Sequence, residues 1–225
     1  MPVAPPDSEA VLLARADALA GRPVRWLAER EQVAVPPDLK RHKGWIGNLL
    51  ERALGATAGS KAEPDFPHLA VEMKTLPVDM TGKPRESTFV CHAPLDGSMA
   101  REWASSWVRR KLSRVLWVPI VGGGPPGDRV IGAPILWSPS AAQASTLQAD
   151  WETLCEAINL GETWQLEARR GRALQLRPKA ARASELTWVL DDEGDWAQVN
   201  PRGFYLRTSF TAEIVSSHLA VRTER

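Results

Sequence analysis

Residues Asp65 to Lys74 read DFPHLAVEMK and hold the side chains best suited to chemistry. Asp65 is followed, after six residues, by Glu72-x-Lys74. In an extended strand Glu72 and Lys74 share one face, while Val71 and Met73 take the other. Two carboxylates and an amine then meet at one edge of a sheet. Hard carboxylate oxygens suit a Mg2+ that keeps several waters and a phosphate in its shell. A lysine beside such an ion can orient or deprotonate an attacking water, or support charge on the phosphate. This is the chemistry of metal-dependent phosphodiester cleavage. The same short pattern also falls by chance on solvated strand faces, so the rest of the chain decides its weight.

The elements that must position these residues are legible in part. A helix capped by Asp7 or Ser8 carries Leu12, Ala16 and Leu19 on its apolar side. Gly21-Arg22-Pro23 ends it, and a second helix follows with Leu27 and Ala28 inward. Ile46, Leu49, Leu50, Ala53 and Leu54 recur at helical spacing, with Glu51 at the margin of the stripe. Packed against the strand of Glu72, that helix would bring a third carboxylate to the site. Ser87 to Ala93 reads as a strand pairing with the preceding one in a hairpin. Arg101 to Arg114 reads as a helix with Trp103, Trp107, Val108 and Leu112 inward, before a strand at Val115 to Val121. Strand Val130 to Trp137 and a long helix from Ser140 to Leu160 follow. Thr163 to Arg169 and Arg172 to Arg177 alternate as a hairpin around Arg170-Gly171. Pro201 to Leu206 reads as a glycine-hinged loop, and Ser209 as the cap of a last helix.

The 225 residues suffice for one large domain or two lobes, and 44% hydrophobic content implies a packed core. A net charge of +1 announces no nucleic-acid partner, so local distribution matters. Residues 167–182 hold six basic residues against one acid, a patch able to meet phosphates. Residues 101–114 hold five against one, with Lys111 the better candidate for a phosphate contact. Residues 185–195 carry five acids and no base and should lie away from DNA or screen its approach. Cys91 and Cys155 show no metal spacing and are expected as buried free thiols. No apolar run is long enough to cross a bilayer and no leader is visible, so a cytoplasmic protein without a membrane partner, and a monomer, are expected.

Taken in order, KGWIGNLLERALGA, AGSKAEPDF, VEMKTLPVD, TFVCHAPL, VRRKLSRVLWVP, LQLRPKA and PRGFYL resemble the MutH family. These are the strand-directing endonucleases of methyl-directed DNA mismatch repair. The resemblance runs from about Lys43 to the last helix. It implies an α/β fold of the restriction-endonuclease type: a mixed β-sheet flanked by helices, two arms around a DNA-binding cleft, in a single endonuclease domain over 1–225. It implies a Mg2+-dependent nick in the unmethylated strand of double-stranded DNA at hemimethylated or unmethylated GATC, with MutL as activator after MutS has found a mismatch.

By motif position, Asp65 and Glu72 would be metal ligands, Glu51 the further acid and Lys74 the catalytic lysine. Lys111 would stand near the scissile phosphate and Lys43 in reach of the backbone. Phe89, Arg177, Lys179 and Tyr205 match positions that touch DNA, with Tyr205 placed to sense the adenine methyl group. A second basic residue is expected where Ser113 stands. Two other readings share parts of this pattern: a stand-alone type II restriction endonuclease of the same fold, and a non-catalytic DNA-binding module.

Overall fold

The computed structural model describes residues 3–59, 61–96, 98, 100–160, 171–179, 184–190 and 194–223. The expected strand Thr163 to Arg169, three of the five acids of 185–195 and part of the basic patch lie outside these residues. The chain divides into two compact units: 1–85 with 114–138 and 214–225, and 86–113 with 139–213.

The first unit is built on a mixed sheet flanked by helices. Strands β1 (Glu72–Val78) and β3 (Val115–Val121) pair in parallel, with Glu72 opposite Val115 and Lys74 opposite Trp117. Here the hairpin expectation is corrected, because β2 (Thr88–Ala93) does not pair with β1. The turn after β1 makes only the bridge Val78 to Pro84 before the chain leaves. A parallel neighbour needs a long crossover, and residues 79–114 supply it. Pro77 lacks an N–H, which suits the edge position of β1 in this sheet. On the far side of β3 the expected single strand 130–137 is two short ones, β4 (Val130–Ile131) and β5 (Ile135–Trp137). Gly132-Ala133-Pro134 interrupts them.

Alternation divides the faces of this sheet. Val71, Met73, Leu116, Val118 and Ile120 join one apolar cluster with the helices α1 (Glu9–Asp17), α2 (Val24–Arg30) and α3 (Trp45–Leu54). Helix α3 contributes Ile46, Leu49, Leu50, Ala53 and Leu54, all buried. Each Leu or Ile so buried stabilises the fold by roughly 1.5–3 kcal/mol. The opposite face carries Glu72, Lys74 and the fully buried Trp117.

The second unit is built on a three-stranded antiparallel sheet in the order β2, β9 (Arg202–Leu206), β6 (Leu174–Pro178). PRGFYL is therefore the central strand of a sheet and not a loop. Its alternation was masked by Pro201 and Gly203, which are turn signals in sequence. Phe204 and Leu206 face the core with Leu174 and Leu176. Helix α4 (Trp107–Leu112) is shorter than expected and is capped by Ser106, whose Oγ accepts from the Arg109 N–H at 3.1 Å. Trp107 is not inward: it is 39% exposed, with the Arg110 guanidinium 4.6 Å above its ring. Strands β7 (Thr187–Leu190) and β8 (Trp196–Val199) form a separate antiparallel pair. Helix α6 (Thr208–Thr223) begins one residue before Ser209, so Ser209 lies inside it.

Helix α5 (Ala141–Asn159) starts in a capping box, Ser140 with Gln143. Leu147, Trp151, Leu154, Cys155 and Ile158 are buried along it. Neither Cys91 nor Cys155 forms a disulfide; Cys155 is buried but Cys91, against expectation, only half-buried, and burial pushes the Cys155 thiol up to about 12. Asp150, only 7% exposed on the same helix, accepts three backbone N–H donors, from Arg172 at 2.9 Å, Ala173 at 2.6 Å and Leu174 at 2.8 Å. These donors open β6. Gly171 has φ +93, and a Cβ there would meet the Leu174 carbonyl oxygen at 2.1 Å, so only glycine closes this turn. Asp150→Ala removes the shared acceptor and leaves buried donors unpaired, at about 3 kcal/mol or more. A urea melt should show a clearly lowered midpoint; an unchanged midpoint would show that the turn does not need the carboxylate.

Candidate active site

Strand β1 delivers the acid and the amine as alternation requires. Lys74 Nζ donates to Glu72 Oε1 at 3.2 Å, and the two side chains are 9% and 7% exposed. Burying both charges costs several kcal/mol per ion before their attraction is counted. Such a pair is poor value as a stabiliser, and buried charge of this kind collects at functional sites.

Asp65 reaches the same strand from a loop. Its Oδ2 accepts from the backbone N–H of Met73 at 2.8 Å, between Glu72 and Lys74. The Asp65 carbonyl accepts in turn from Thr57 at 3.1 Å and Ala58 at 3.4 Å, just beyond the end of α3. Phe66, 0% exposed, bridges to Val71 and closes the loop. The GATAGSK segment thus positions Asp65, and Gly55 closes α3 in a left-handed conformation with φ 84.

Glu51 stands on α3, which packs against β1. Its Oε1 lies 3.9 Å from where a Cβ on Gly47 would be, so the carboxylate leans back one turn along the helix. Among the described residues no three acid, histidine or cysteine side chains form a ready metal cage. A Mg2+ needs less than that, because it binds through one or two carboxylates and keeps waters or phosphate oxygens elsewhere. The donor set of Asp65 and Glu72, hard anionic oxygens beside one ammonium, fits that ion. Lys43 is exposed immediately before Gly44, which opens α3 with φ 81.

The backbone of Glu72 is fixed from the other side. Its N–H donates to the Arg114 carbonyl at 3.0 Å. The Arg114 guanidinium is held by Glu9 of α1, with Nε to Oε1 at 2.8 Å and Nη2 to Oε2, and it reaches Ser138 Oγ at 3.4 Å. No sequence signal joins Glu9 to Arg114 across 105 positions.

The other sequence candidates lie in the second unit. Lys111 is half-buried on α4 and Ser113 is exposed after it. Phe89, Tyr205 and Arg177 share the sheet face opposite the core. Phe89 pairs with Tyr205 and Arg177 with Gly203, and a bulge after Phe89 keeps His92 on the same face. Phe89 meets Tyr205 edge-on at 5.3 Å between centroids and His92 at 5.4 Å. Lys179 Nζ stands 4.2 Å above the Phe89 ring, and the Arg177 guanidinium 5.8 Å above Tyr205. Burial pushes the Tyr205 phenol up; the Arg177 charge opposes this and Glu86 adds to it. The phenol therefore stays protonated at neutral pH.

A family model described as DNA mismatch repair enzyme MutH matches residues 54–150. The DNA mismatch repair protein MutH of Serratia proteamaculans (strain 568) is 51% identical over 219 residues, covering 96% of each chain. That of Shewanella sp. (strain ANA-3) is 50% identical over 217 residues, covering 96% of this chain and 97% of the relative.

The chain belongs to the MutH family.

The family consists of DNA mismatch repair endonucleases, so the enzyme class and the mixed α/β fold read from the sequence are borne out. The likeness to MutH proteins also takes in most of the first forty residues, where the sequence motifs were silent. The first forty residues of this chain also include Glu9, which anchors Arg114. Among the described residues no helix is long and apolar enough to cross a membrane.

The Arg114 side chain, through hydrogen bonds and then charge, holds the Glu9 carboxyl below its ordinary 4.5. A lowered folded value means that the pair stabilises above pH 4.5 and ceases to as pH falls through the folded value. Glu9→Gln should therefore be less stable than the wild type at neutral pH and converge with it in acid. Urea melts across pH check this; a gap independent of pH would assign Glu9 a neutral packing role.

Proposed function

We propose that this chain is a Mg2+-dependent endonuclease that nicks the unmethylated strand of double-stranded DNA at hemimethylated GATC, activated by MutL, in the cytoplasm and as a monomer. The observation that carries the reading is the buried Glu72–Lys74 pair on β1, with Asp65 bonded to the backbone between them.

Asp65 and Glu72 would hold the ion, with Glu51 as a further acid on the packed helix. Mg2+, when bound, supplies a Lewis acid for phosphate oxygens and acidifies water. Lys74 Nζ sits against Glu72 Oε1, from which it orients the attacking water or passes a proton. Lys111 would balance charge near the scissile phosphate, and Lys43 would hold the backbone. Arg177 is suited either to bidentate contact with a guanine or to a phosphate. Adenine presents its N6 donor in the major groove, and a methyl there adds bulk that a fixed Tyr205 ring can reject. Cys91 and Cys155, not joined in a disulfide, agree with a reducing compartment.

The test is nicking of unmethylated, hemimethylated and fully methylated GATC duplexes with Mg2+, with and without MutL. Nicking confined to the unmethylated strand and stimulated by MutL is expected. Double-strand cutting without MutL would favour a restriction enzyme instead. Lys74→Ala should abolish nicking and leave DNA affinity within a few-fold, because the lysine acts on the reaction and not on the duplex. Equal loss of binding would make Lys74 structural.

A further inference from the structure

In the second unit the side chains proposed to face DNA hold one another in place. Four of them form a chain of contacts: Lys179 over Phe89, Phe89 edge-on to Tyr205, and Arg177 over Tyr205. Two further residues, to which the family motifs assign no role, hold two of its members.

The first is Gly203, buried in β9, the central strand of this sheet. A Cβ there would stand 2.8 Å from Phe89 Cε2 and 3.2 Å from the Cys91 carbonyl oxygen. The Phe89 ring therefore lies across the bare backbone of β9, and only a glycine leaves that seat open. A glycine inside a central strand marks this kind of close approach. The second is Ser87, just before β2. Arg177 Nη1 donates to Ser87 Oγ at 2.5 Å across the sheet. An exposed arginine otherwise samples many rotamers, and a fixed donor fork loses less freedom on meeting its target.

We propose that Gly203 and Ser87 are positioning residues for sequence discrimination: Gly203 by seating Phe89, and Ser87 by holding Arg177. This rests on the nuclease reading above. Neither residue needs to touch DNA. Their effect is to spend the ordering cost of the reading face during folding, so that a correct site meets a rigid surface. A wrong base then faces donors that cannot swing away to other partners.

The experiment measures kcat/KM for nicking of a GATC duplex and of duplexes with each single base replaced. The proteins are wild type, Ser87→Ala, Ser87→Thr, Gly203→Ala, Phe89→Leu and Gly203→Ala with Phe89→Leu. Ser87→Ala should lower the ratio of cognate to substituted kcat/KM by about tenfold, the value of one good base contact. Ser87→Thr, which keeps the hydroxyl, should restore most of it. Gly203→Ala should lower the ratio similarly in the Phe89 protein and by less than about twofold once Phe89 is Leu, because the two changes then act through one ring. Near-ultraviolet circular dichroism reports whether each variant is folded; should Gly203→Ala not fold, the serine pair decides.

No preference for GATC in the wild type would overturn the nuclease reading and this inference together. A clear wild-type preference with an unchanged ratio in Ser87→Ala, or with Ser87→Thr as poor as Ser87→Ala, would overturn the inference alone. Additive effects of Gly203→Ala and Phe89→Leu would do the same for the glycine.

Discussion

The hydrogen bond from the Met73 N–H to Asp65 Oδ2 is the constraint on which the site depends. It uses a backbone donor on the edge of β1, where the sheet leaves such groups without a ladder partner on one side. Asp65 thereby satisfies the strand edge at the residue between Glu72 and Lys74. The rest of the first unit serves that contact. Helices α1 to α3 fill the face of Met73 and Leu116, and β3 fixes the register of Glu72 and Lys74. The Arg114 carbonyl takes the Glu72 N–H, while Glu9 holds the Arg114 side chain. A buried acid–amine pair is expensive, and these supports keep it from relaxing into solvent.

The second unit follows a different economy. Its sheet has one apolar face, with Phe204, Leu206, Leu174 and Leu176 in the core. Its other face spends its residues on rings and cations. Asp150 orders the start of β6 by taking three backbone donors, and further along the strand Arg177 emerges on the face opposite the core. A buried carboxylate on α5 thus sets the strand from which Arg177 projects.

The legible parts of this molecule were local. Alternation in VEMK placed Glu72 and Lys74 on one face, and the structure finds them hydrogen-bonded. The stripe on α3 and the inner face of α5 were readable for the same reason, a period that matches a helix. What escaped was long-range. Nothing near β1 reveals that its partner is β3 and not β2, because a parallel crossover leaves no turn signature. PRGFYL was misread because its proline and glycine carry tertiary meaning: Gly203 is a seat for a ring on a neighbouring strand. Trp107 fits a helical apolar stripe by spacing and yet lies outside, stacked under Arg110. Ser87 with Arg177 and Glu9 with Arg114 join positions 90 and 105 residues apart, beyond any spacing argument.

The account stands on Asp65 and Glu72 sharing one divalent ion while Lys74 stays beside it. Binding of Mn2+, followed by electron paramagnetic resonance on the wild type, Asp65→Asn, Glu72→Gln and Lys74→Ala, tests this without DNA or activator. Removing either carboxylate should weaken binding by about tenfold or more, as loss of ligating or supporting groups does. Removing the amine should leave it equal or tighter, since a competing cation is gone. Unchanged Mn2+ affinity in Glu72→Gln would contradict the account.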